Sequence, residues 1–175
     1  MKKYIILDLD NTLICNETAR PYLKDFLLFL FNNFEKVNIW TSASLEWLEN
    51  AFKNILQYDT PKDKKFFFLG YRDHCTFSHV ISNGNMFPDK CYKELKLVYS
   101  NFPEFNETNT VIVDDREMMF SLNINNGILI DPFTENKSFD IELYRLTLFL
   151  KNEILPCDDV RKIDKINWKS RYRNF

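Results

Sequence analysis

The sequence predicts an α/β fold, a Rossmann-like parallel sheet flanked by helices. Short apolar runs rich in β-branched residues alternate along the chain with longer runs of helical periodicity, which is the pattern of parallel strands joined by crossover helices. The 175 residues suffice for one domain, which would bury roughly two-thirds of its unfolded surface. The hydrophobic content of 45% and the charged content of 27% are ordinary for a globular protein.

The predicted strands are short and apolar, as buried parallel strands tend to be. In chain order they cover residues 4–7, 37–40, 110–113 and 127–130. The predicted helices cover residues 22–33, 45–56, 89–99 and 141–153. Apolar side chains recur at helical spacing in the first helix, and Pro21 suits its first turn. Ser44 is the expected N-cap of the second helix, with Ser42 as the alternative.

Residues 62–88 interrupt this alternation. An aromatic run at 66–68 and the segments on either side of Asn83-Gly84 predict a small antiparallel excursion with a hairpin turn. An insertion between parallel strands at their carboxyl edge overhangs the ligand site in such folds. We therefore expect a small antiparallel β cap that shapes substrate access.

Two carboxylates, Asp8 and Asp10, follow the first predicted strand. Alternation along an extended chain sends both to the same side, so both can converge on one ligand. Such a pair suits a nucleophile, a proton donor and a metal site. Acidic residues after a strand are also ordinary turn residues, and this alternative stays open on the pair alone.

Thr41 and Ser42 follow the second predicted strand and precede a predicted helix. Hydroxyl and backbone N–H groups at such a place can bind phosphate oxygens, because the start of a helix has free N–H groups and a positive dipole. Both residues would serve equally well as ordinary helix caps. The segment is therefore a candidate phosphate site that needs support from elsewhere in the chain.

Asp114 and Asp115 are adjacent acids that follow the third predicted strand. They would repel each other unless a cation intervenes. A divalent ion held by Asp8, the Asp10 carbonyl and one of this pair would relieve the repulsion. Hard oxygen ligands without cysteine or histidine favour Mg²⁺. Spacing leaves open which of the two acids binds the metal.

These motifs together resemble those of the haloacid-dehalogenase-like phosphatases. The D-L-D-N-T-L string resembles the first motif of that superfamily, and other segments resemble its FCP/SCP-like branch, which dephosphorylates the C-terminal domain of RNA polymerase II. The segments that carry the resemblance lie at 8–13, 20–27, 40–42, 71–75, 92–95, 110–115 and 158–161. The resemblance covers about residues 3–161. We take residues 1–161 as one phosphatase domain, followed by a C-terminal extension at 162–175.

The resemblance implies roles for the residues after the first two strands. Asp8 would be the nucleophile, and Asp10 would act as general acid and then as general base. Thr41 would carry the phosphate-binding hydroxyl, with Ser42 as the second candidate. Thr12 would support the loop through hydrogen bonding rather than touch the substrate.

The resemblance also assigns the remaining charged residues. Lys93 would offset charge on the transferring oxygens and hold the nucleophile, with Lys90 as its rival. Asp115 would bind the metal directly and Asp114 would lie behind it. Arg72, in the predicted cap, would contact the substrate.

The implied function is a Mg²⁺-dependent phosphomonoester hydrolase that forms an aspartyl phosphate. A phosphoprotein or phosphopeptide carrying phosphoserine or phosphothreonine is the expected substrate. One alternative is a phosphatase for a small molecule or a nucleic-acid end. Another is a catalytically idle phosphopeptide-binding module, which would require a broken set of catalytic residues.

Charge and hydropathy bear on location and partners. The formal net charge of -2 provides no basic field, so direct nucleic-acid binding is not expected. The apolar run before Asp8 is too short for a signal peptide, and no apolar run is long enough to span a bilayer. We expect an intracellular protein, cytoplasmic or nuclear, whose segment 162–173 is a solvated terminal extension.

Overall fold

The computed structural model describes residues 2–135 and 139–173. Within these ranges, five strands form one parallel sheet and two short antiparallel pairs lie outside it. In chain order the strands are β1 Tyr4–Leu7, β2 Ile14–Cys15, β3 Thr18–Ala19, β4 Lys36–Trp40, β5 Leu69–Gly70, β6 Thr76–Ser82, β7 Asn85–Tyr92, β8 Thr110–Asp114 and β9 Gly127–Leu129. The predicted α/β class is confirmed, and all four predicted strands are present.

Strand β1 lies at the centre of the sheet, in the order β5-β4-β1-β8-β9. It pairs in parallel with β4 and β8, so that Leu7 stands beside Ile39 and Val113. Because the strands are parallel, the carboxyl ends of β1, β4 and β8 meet at one edge of the sheet. This edge is where open α/β sheets bind their ligands.

Helices cover both faces of the sheet. In chain order they are α1 Leu23–Asn33, α2 Leu45–Ala51, α3 Gln57–Asp59, α4 Leu95–Asn101, α5 Glu142–Phe149 and α6 Trp168–Arg171. Wider π-type turns follow α2 at Phe52–Leu56 and α5 at Leu150–Ile154. Tighter 3-10 segments occur at Arg72–His74, Glu117–Asn126 and Val160–Lys162. Ser44 caps α2 as expected, since its side chain accepts a hydrogen bond from the Trp47 N–H at 3.3 Å.

Strand alternation builds two apolar cores, one on each face. Ile5 and Leu7 point to the face that α1 and α5 cover, whereas Tyr4 and Ile6 point to the face that α4 covers. All four side chains are buried. Both faces of β1 are therefore apolar, which is why its sequence reads as a continuous hydrophobic run.

The region 62–99 differs from prediction in two places. The hairpin around Asn83-Gly84 is confirmed, and both turn residues have positive φ, as a type I′ turn requires. Residues 69–70, however, join the parallel sheet as β5 beside β4 and do not belong to the antiparallel excursion.

The predicted helix at 89–99 is wrong in its first half. Residues 85–92 form β7, whose ladder with β6 pairs Phe77 with Cys91 and Thr76 with Tyr92. Cross-strand hydrogen bonds thus satisfy backbone groups that a helix would have paired locally. The helix begins only at Leu95, so the antiparallel hairpin spans Thr76 to Tyr92 and not 62–88.

The expectation of a solvated extension after residue 161 is wrong for the described residues 162–173. Trp168 is fully buried and stacks on Phe149 with ring centroids 5.3 Å apart. Its indole N–H donates to the Leu129 carbonyl at 3.0 Å. Lys165 is also buried, and its ammonium donates to backbone carbonyls that include Asn125 at 2.8 Å. Residues 174 and 175 lie outside the described ranges.

The helices of the described ranges are short in comparison with the thickness of a bilayer. The helix α1 has 11 residues, whereas a span of the hydrocarbon core takes about 20 apolar residues. Within 2–135 and 139–173, no helix combines the length and the hydrophobicity needed to cross a membrane.

Candidate active site

The carboxyl ends of β1 and β8 bring Asp8 and Asp114 together. Asp8 is the first residue after β1, and its N–H donates to the Val113 carbonyl at 2.9 Å, which continues the parallel pairing. Asp114 is the last residue of β8. Both side chains are buried, so their charges require partners inside the protein.

Lys93 supplies that partner. Its ammonium donates to Asp8 Oδ1 at 2.5 Å and to Asp114 Oδ2 at 2.6 Å, and its side chain is fully buried. Burial lowers the pKa of Lys93, but the attraction of the two carboxylates outweighs burial and places the pKa above its ordinary value. The rival Lys90 is exposed on β7. The structure thus brings Lys93 to the acids.

The positive charge near Asp114 and Asp115, at the end of β8, does not balance the charge of the carboxylates. Burial, and then the charge of Asp8, raise the pKa of both Asp114 and Asp115. The opposing charge is chiefly that of Lys93 for Asp114 and that of Arg116 for Asp115. Carboxyl oxygens of Asp8, Asp114 and Asp115 lie within 4.8 Å of one another. One buried ammonium therefore faces three carboxylates, an arrangement that a further cation would stabilise.

The hydrogen bonds show which acids fit such a cation. Asp114 uses both oxygens, since Oδ2 accepts from Lys93 and Oδ1 accepts from the Arg116 N–H at 2.9 Å. Asp115 Oδ1 is buried and has no hydrogen-bond partner in the part of the chain that the structure describes. Carboxylate oxygens are the ligands that hard divalent cations prefer. The donor set therefore fits a divalent cation at Asp8 and Asp115, with Asp114 supporting Lys93.

Asp10 is held by hydrogen bonds to both of its oxygens. Thr41 Oγ1 donates to Asp10 Oδ2 at 2.9 Å, and Trp47 Nε1 donates to Asp10 Oδ1 at 2.6 Å. The Thr41 hydroxyl also accepts from the Ala43 N–H at 3.0 Å. Thr41 was predicted to bind phosphate. In the structure it is buried, and its hydroxyl contacts Asp10. Both carboxylate oxygens of Asp10 are therefore fixed in position.

Ser42 and two guanidinium groups line the exposed rim of the site. Arg72 Nε donates to the Ser42 carbonyl at 2.9 Å, and Arg116 Nη2 donates to Ser42 Oγ at 2.8 Å. Neither arginine forms an ion pair with an acid within 2–135 and 139–173. Both are exposed. The rim therefore presents two positive charges next to Thr41 and Asp10.

The loop after Asp10 is held by Arg20 and not by the hydroxyl of Thr12. Arg20 donates to the Thr12 carbonyl at 3.1 Å and forms two hydrogen bonds with Asp140, at 3.0 and 2.9 Å. Thr12 Oγ1 is buried, and among the described residues it has no partner. Thr12 therefore supports the loop through its backbone carbonyl and not through its hydroxyl. Arg20 of the buried Arg20–Asp140 pair is the donor to that carbonyl.

Sequence reasoning missed Trp47 and Arg116 as site residues. The sequence indicated only that Trp47 lies in a helix just after the cap. Its indole nevertheless forms a hydrogen bond with Asp10, which lies 37 residues earlier in the chain. Arg116 follows Asp115 directly and could have been found as the basic neighbour of an acid pair. No local pattern identified Trp47, because its contact depends on how α2 packs against the end of β1.

The sequence of the chain matches that of a known phosphatase family. Residues 3–161 match the model of the family described as NLI interacting factor-like phosphatase. The chain belongs to this family. The matched range includes every predicted site residue, from Asp8 to Asp115. The resemblance inferred from the motifs is thereby confirmed.

Curated members of this phosphatase family align with almost the whole chain. The Ubiquitin-like domain-containing CTD phosphatase 1 of Danio rerio is 32% identical over 180 residues, which cover 96% of this chain and 54% of that protein. The Ubiquitin-like domain-containing CTD phosphatase of Arabidopsis thaliana is 31% identical over 181 residues, covering 97% and 51%. The chain therefore spans about half the length of these relatives.

Solved structures share the fold of this family member. The structure of Fcp1, described as an essential RNA polymerase II CTD phosphatase, gives a TM-score of 0.51 at 16% identity, covering 79% of this chain and 44% of that one. The core domain of a putative phosphoglycolate phosphatase from Streptococcus pneumoniae TIGR4 gives 0.51 at 14% identity, covering 87% and 98%. At these identities the likeness concerns the fold alone.

Proposed function

We propose that this protein is a Mg²⁺-dependent phosphomonoester hydrolase that acts on phosphoserine or phosphothreonine in proteins through an aspartyl phosphate. One observation carries the proposal: the buried carboxylate of Asp8 is held at 2.5 Å by Lys93, next to a second carboxylate, Asp10, that is fixed by two donors. Family membership supports the reaction class.

Asp8 is the nucleophile. Its carboxylate lies at the open carboxyl edge of the sheet, and Lys93 fixes one oxygen while the other remains free to attack phosphorus in line. The bond from Asp8 to phosphorus forms as the bond from phosphorus to the serine or threonine oxygen breaks. Lys93 then neutralises charge on the transferring phosphoryl oxygens.

Asp10 moves the protons. It donates one to the departing serine or threonine oxygen, and it later accepts one from the water that hydrolyses the aspartyl phosphate. Thr41 can turn its hydroxyl, which now bonds Asp10, toward a phosphoryl oxygen. The contact between these two residues therefore links phosphate binding to the position of the acid.

A Mg²⁺ ion would be held by Asp8, the Asp10 carbonyl and Asp115. When bound, it supplies positive charge that orients the phosphoryl group and offsets its oxygens. Asp114 keeps Lys93 in place through its 2.6 Å contact. The buried, unpartnered Oδ1 of Asp115 supports Asp115 over Asp114 as the direct ligand.

Two observations support a protein substrate. The relatives at 32% and 31% identity are named CTD phosphatases. The rim arginines Arg72 and Arg116 are exposed and both donate hydrogen bonds to Ser42, and their positive charges suit a phosphorylated peptide. We propose that the protein meets such substrates in the cytoplasm or the nucleus.

The test is turnover of phosphoserine and phosphothreonine peptides with and without Mg²⁺. Asp8→Asn is expected to lower kcat by roughly 10⁴-fold or more, because an amide is not a nucleophile. Asp25→Asn, an exposed substitution on α1, serves as the control. Wild-type turnover by Asp8→Asn, or metal-independent turnover, would contradict the proposal. Faster turnover of sugar phosphates or 3′-phosphorylated oligonucleotides would reassign the substrate.

A further inference from the structure

The hydrogen bond between Trp47 and Asp10 links α2 directly to the candidate proton donor. Trp47 lies in the first turns of α2 and is half-buried against the apolar core. Its backbone N–H is held by the Ser44 cap at 3.3 Å, and its Nε1 donates to Asp10 Oδ1 at 2.6 Å. Core packing and the cap thus fix the indole, and the indole in turn fixes one carboxylate oxygen.

The chemistry of the indole makes this contact directional. An indole N–H can only donate a hydrogen bond, whereas a hydroxyl both donates and accepts. In a protonated carboxylic acid the oxygen without the proton is the better acceptor. Asp10 Oδ1, facing the indole, is therefore the acceptor oxygen in either protonation state. The other oxygen, Oδ2, faces the Thr41 hydroxyl at 2.9 Å, which tolerates a proton there.

We propose that Trp47 is a positioning residue that fixes the rotamer of Asp10 and confines its transferable proton to Oδ2. The inference rests on the proposed phosphatase function and adds a residue to it. In the step concerned, the O–H bond at Oδ2 breaks and the proton passes to the leaving oxygen. At the same time the phosphorus bond of that oxygen breaks and the Asp8 bond to phosphorus forms.

The leaving group tests this role. A serine alkoxide leaves poorly and needs the proton of Asp10, whereas p-nitrophenolate leaves well without one. A residue that acts through Asp10 must therefore affect the two substrates unequally. A residue that only stabilises the fold would lower both rates equally, and a residue that docks peptide would raise KM.

Trp47→Phe keeps an aromatic ring and removes the N–H. We expect kcat/KM, which reports formation of the aspartyl phosphate and not its hydrolysis, to fall by about 10²-fold on a phosphoserine peptide and by less than about fivefold on p-nitrophenyl phosphate, with peptide KM changed by less than about twofold. Glu46→Gln, an exposed neighbour in the same turn, is the matched control. Equal losses on both substrates, or a loss confined to KM, would overturn the inference.

A double-variant cycle adds an independent test. In an Asp10→Asn background, adding Trp47→Phe is expected to change the peptide rate by less than about twofold, because both substitutions remove the same proton transfer. A further large loss would show that Trp47 acts elsewhere. If wild-type protein turns over neither substrate, the proposed function fails, which is a distinct outcome from failure of the role of Trp47.

A measurement without turnover covers the case in which Trp47→Phe does not fold. The indole proton of Trp47 can be followed by NMR in wild type and in Asp10→Ala. We expect solvent exchange of this proton to become at least about tenfold faster in Asp10→Ala, because the acceptor is lost. Unchanged exchange of the indole proton would refute the contact on which the inference depends.

Discussion

Lys93 is the residue on which the electrostatics of the site depend. Its ammonium is fully buried between Asp8 and Asp114, at 2.5 and 2.6 Å. A buried ion pair adds little net stability over an apolar pair, but removing one partner leaves the other charge uncompensated in a medium of low dielectric constant. Two carboxylates would be left without their cation if Lys93 were lost.

We predict that Lys93→Met destabilises the protein by about 3–5 kcal/mol, because it leaves Asp8 and Asp114 unpaired while preserving side-chain length. Urea denaturation in the absence of divalent metal measures the change. Lys90→Met, on the exposed hairpin, should alter stability by no more than about 0.5 kcal/mol. Equal stability of the two variants would show that Lys93 is not the counterion of the site.

The β6–β7 hairpin is the element that joins the rim of the site to its interior. The 3-10 turn Arg72–His74 leads into β6, and β7 ends at Tyr92, one residue before Lys93. The base is anchored by Thr76, whose hydroxyl donates to Glu94 Oε2 at 3.1 Å. The tip carries exposed apolar side chains, with Ile81 76% and Met86 67% exposed. The base therefore lies next to Lys93, and the tip is exposed.

Shortening the hairpin should separate peptide recognition from chemistry. Replacing residues 81–86 with Asn-Gly preserves the Val80–Phe87 pair and a two-residue turn. We predict a fall of about tenfold in kcat/KM on phosphopeptides, the equivalent of one interface contact of ~1.4 kcal/mol. Turnover of p-nitrophenyl phosphate is the internal control. A parallel fall on both substrates would argue against a role of the tip in substrate access.

At the scale of the whole molecule, the chain after residue 161 completes the core next to β9. Trp168 fills a fully buried position between Phe149 and the Leu129 carbonyl. Tyr172 is also buried and lies edge-on to Phe149, with ring centroids 6.2 Å apart. This segment therefore covers the α5 side of the sheet as an integral part of the fold.

Trp168→Ala should cost about 3–5 kcal/mol of unfolding free energy, because it removes a large buried side chain and leaves a cavity. Thermal or urea unfolding measures the loss. Ile166→Ala, at a position 90% exposed two residues away, is the control and should change stability by less than about 0.5 kcal/mol. If the two substitutions had similar effects, the segment would not be part of the cooperative fold.

The sequence by itself determined the sheet and the edge of the sheet at which the candidate site residues lie. The runs at 4–7, 37–40 and 110–113 form strands because their side chains are buried on both faces, and the run at 127–130 forms the edge strand beside β8. Asp8, Thr41 and Asp114 then meet because each follows a parallel strand, and the carboxyl ends of such strands share one edge. These features depend on local pattern and on a general rule of topology.

Only the tertiary structure decided the contacts that link distant segments. Lys93 rather than Lys90 reaches Asp8, Trp47 reaches Asp10, and Trp168 enters the core, across separations in sequence that no periodicity encodes. Residues 89–92 became a strand because β6 offered cross-strand partners that outweighed local helical pattern. The sequence alone was sufficient to identify Asp8 and Asp10 as candidate site residues. The donors that fix each acid could not be identified in this way, because hydrogen-bond direction and burial are properties of the packed fold.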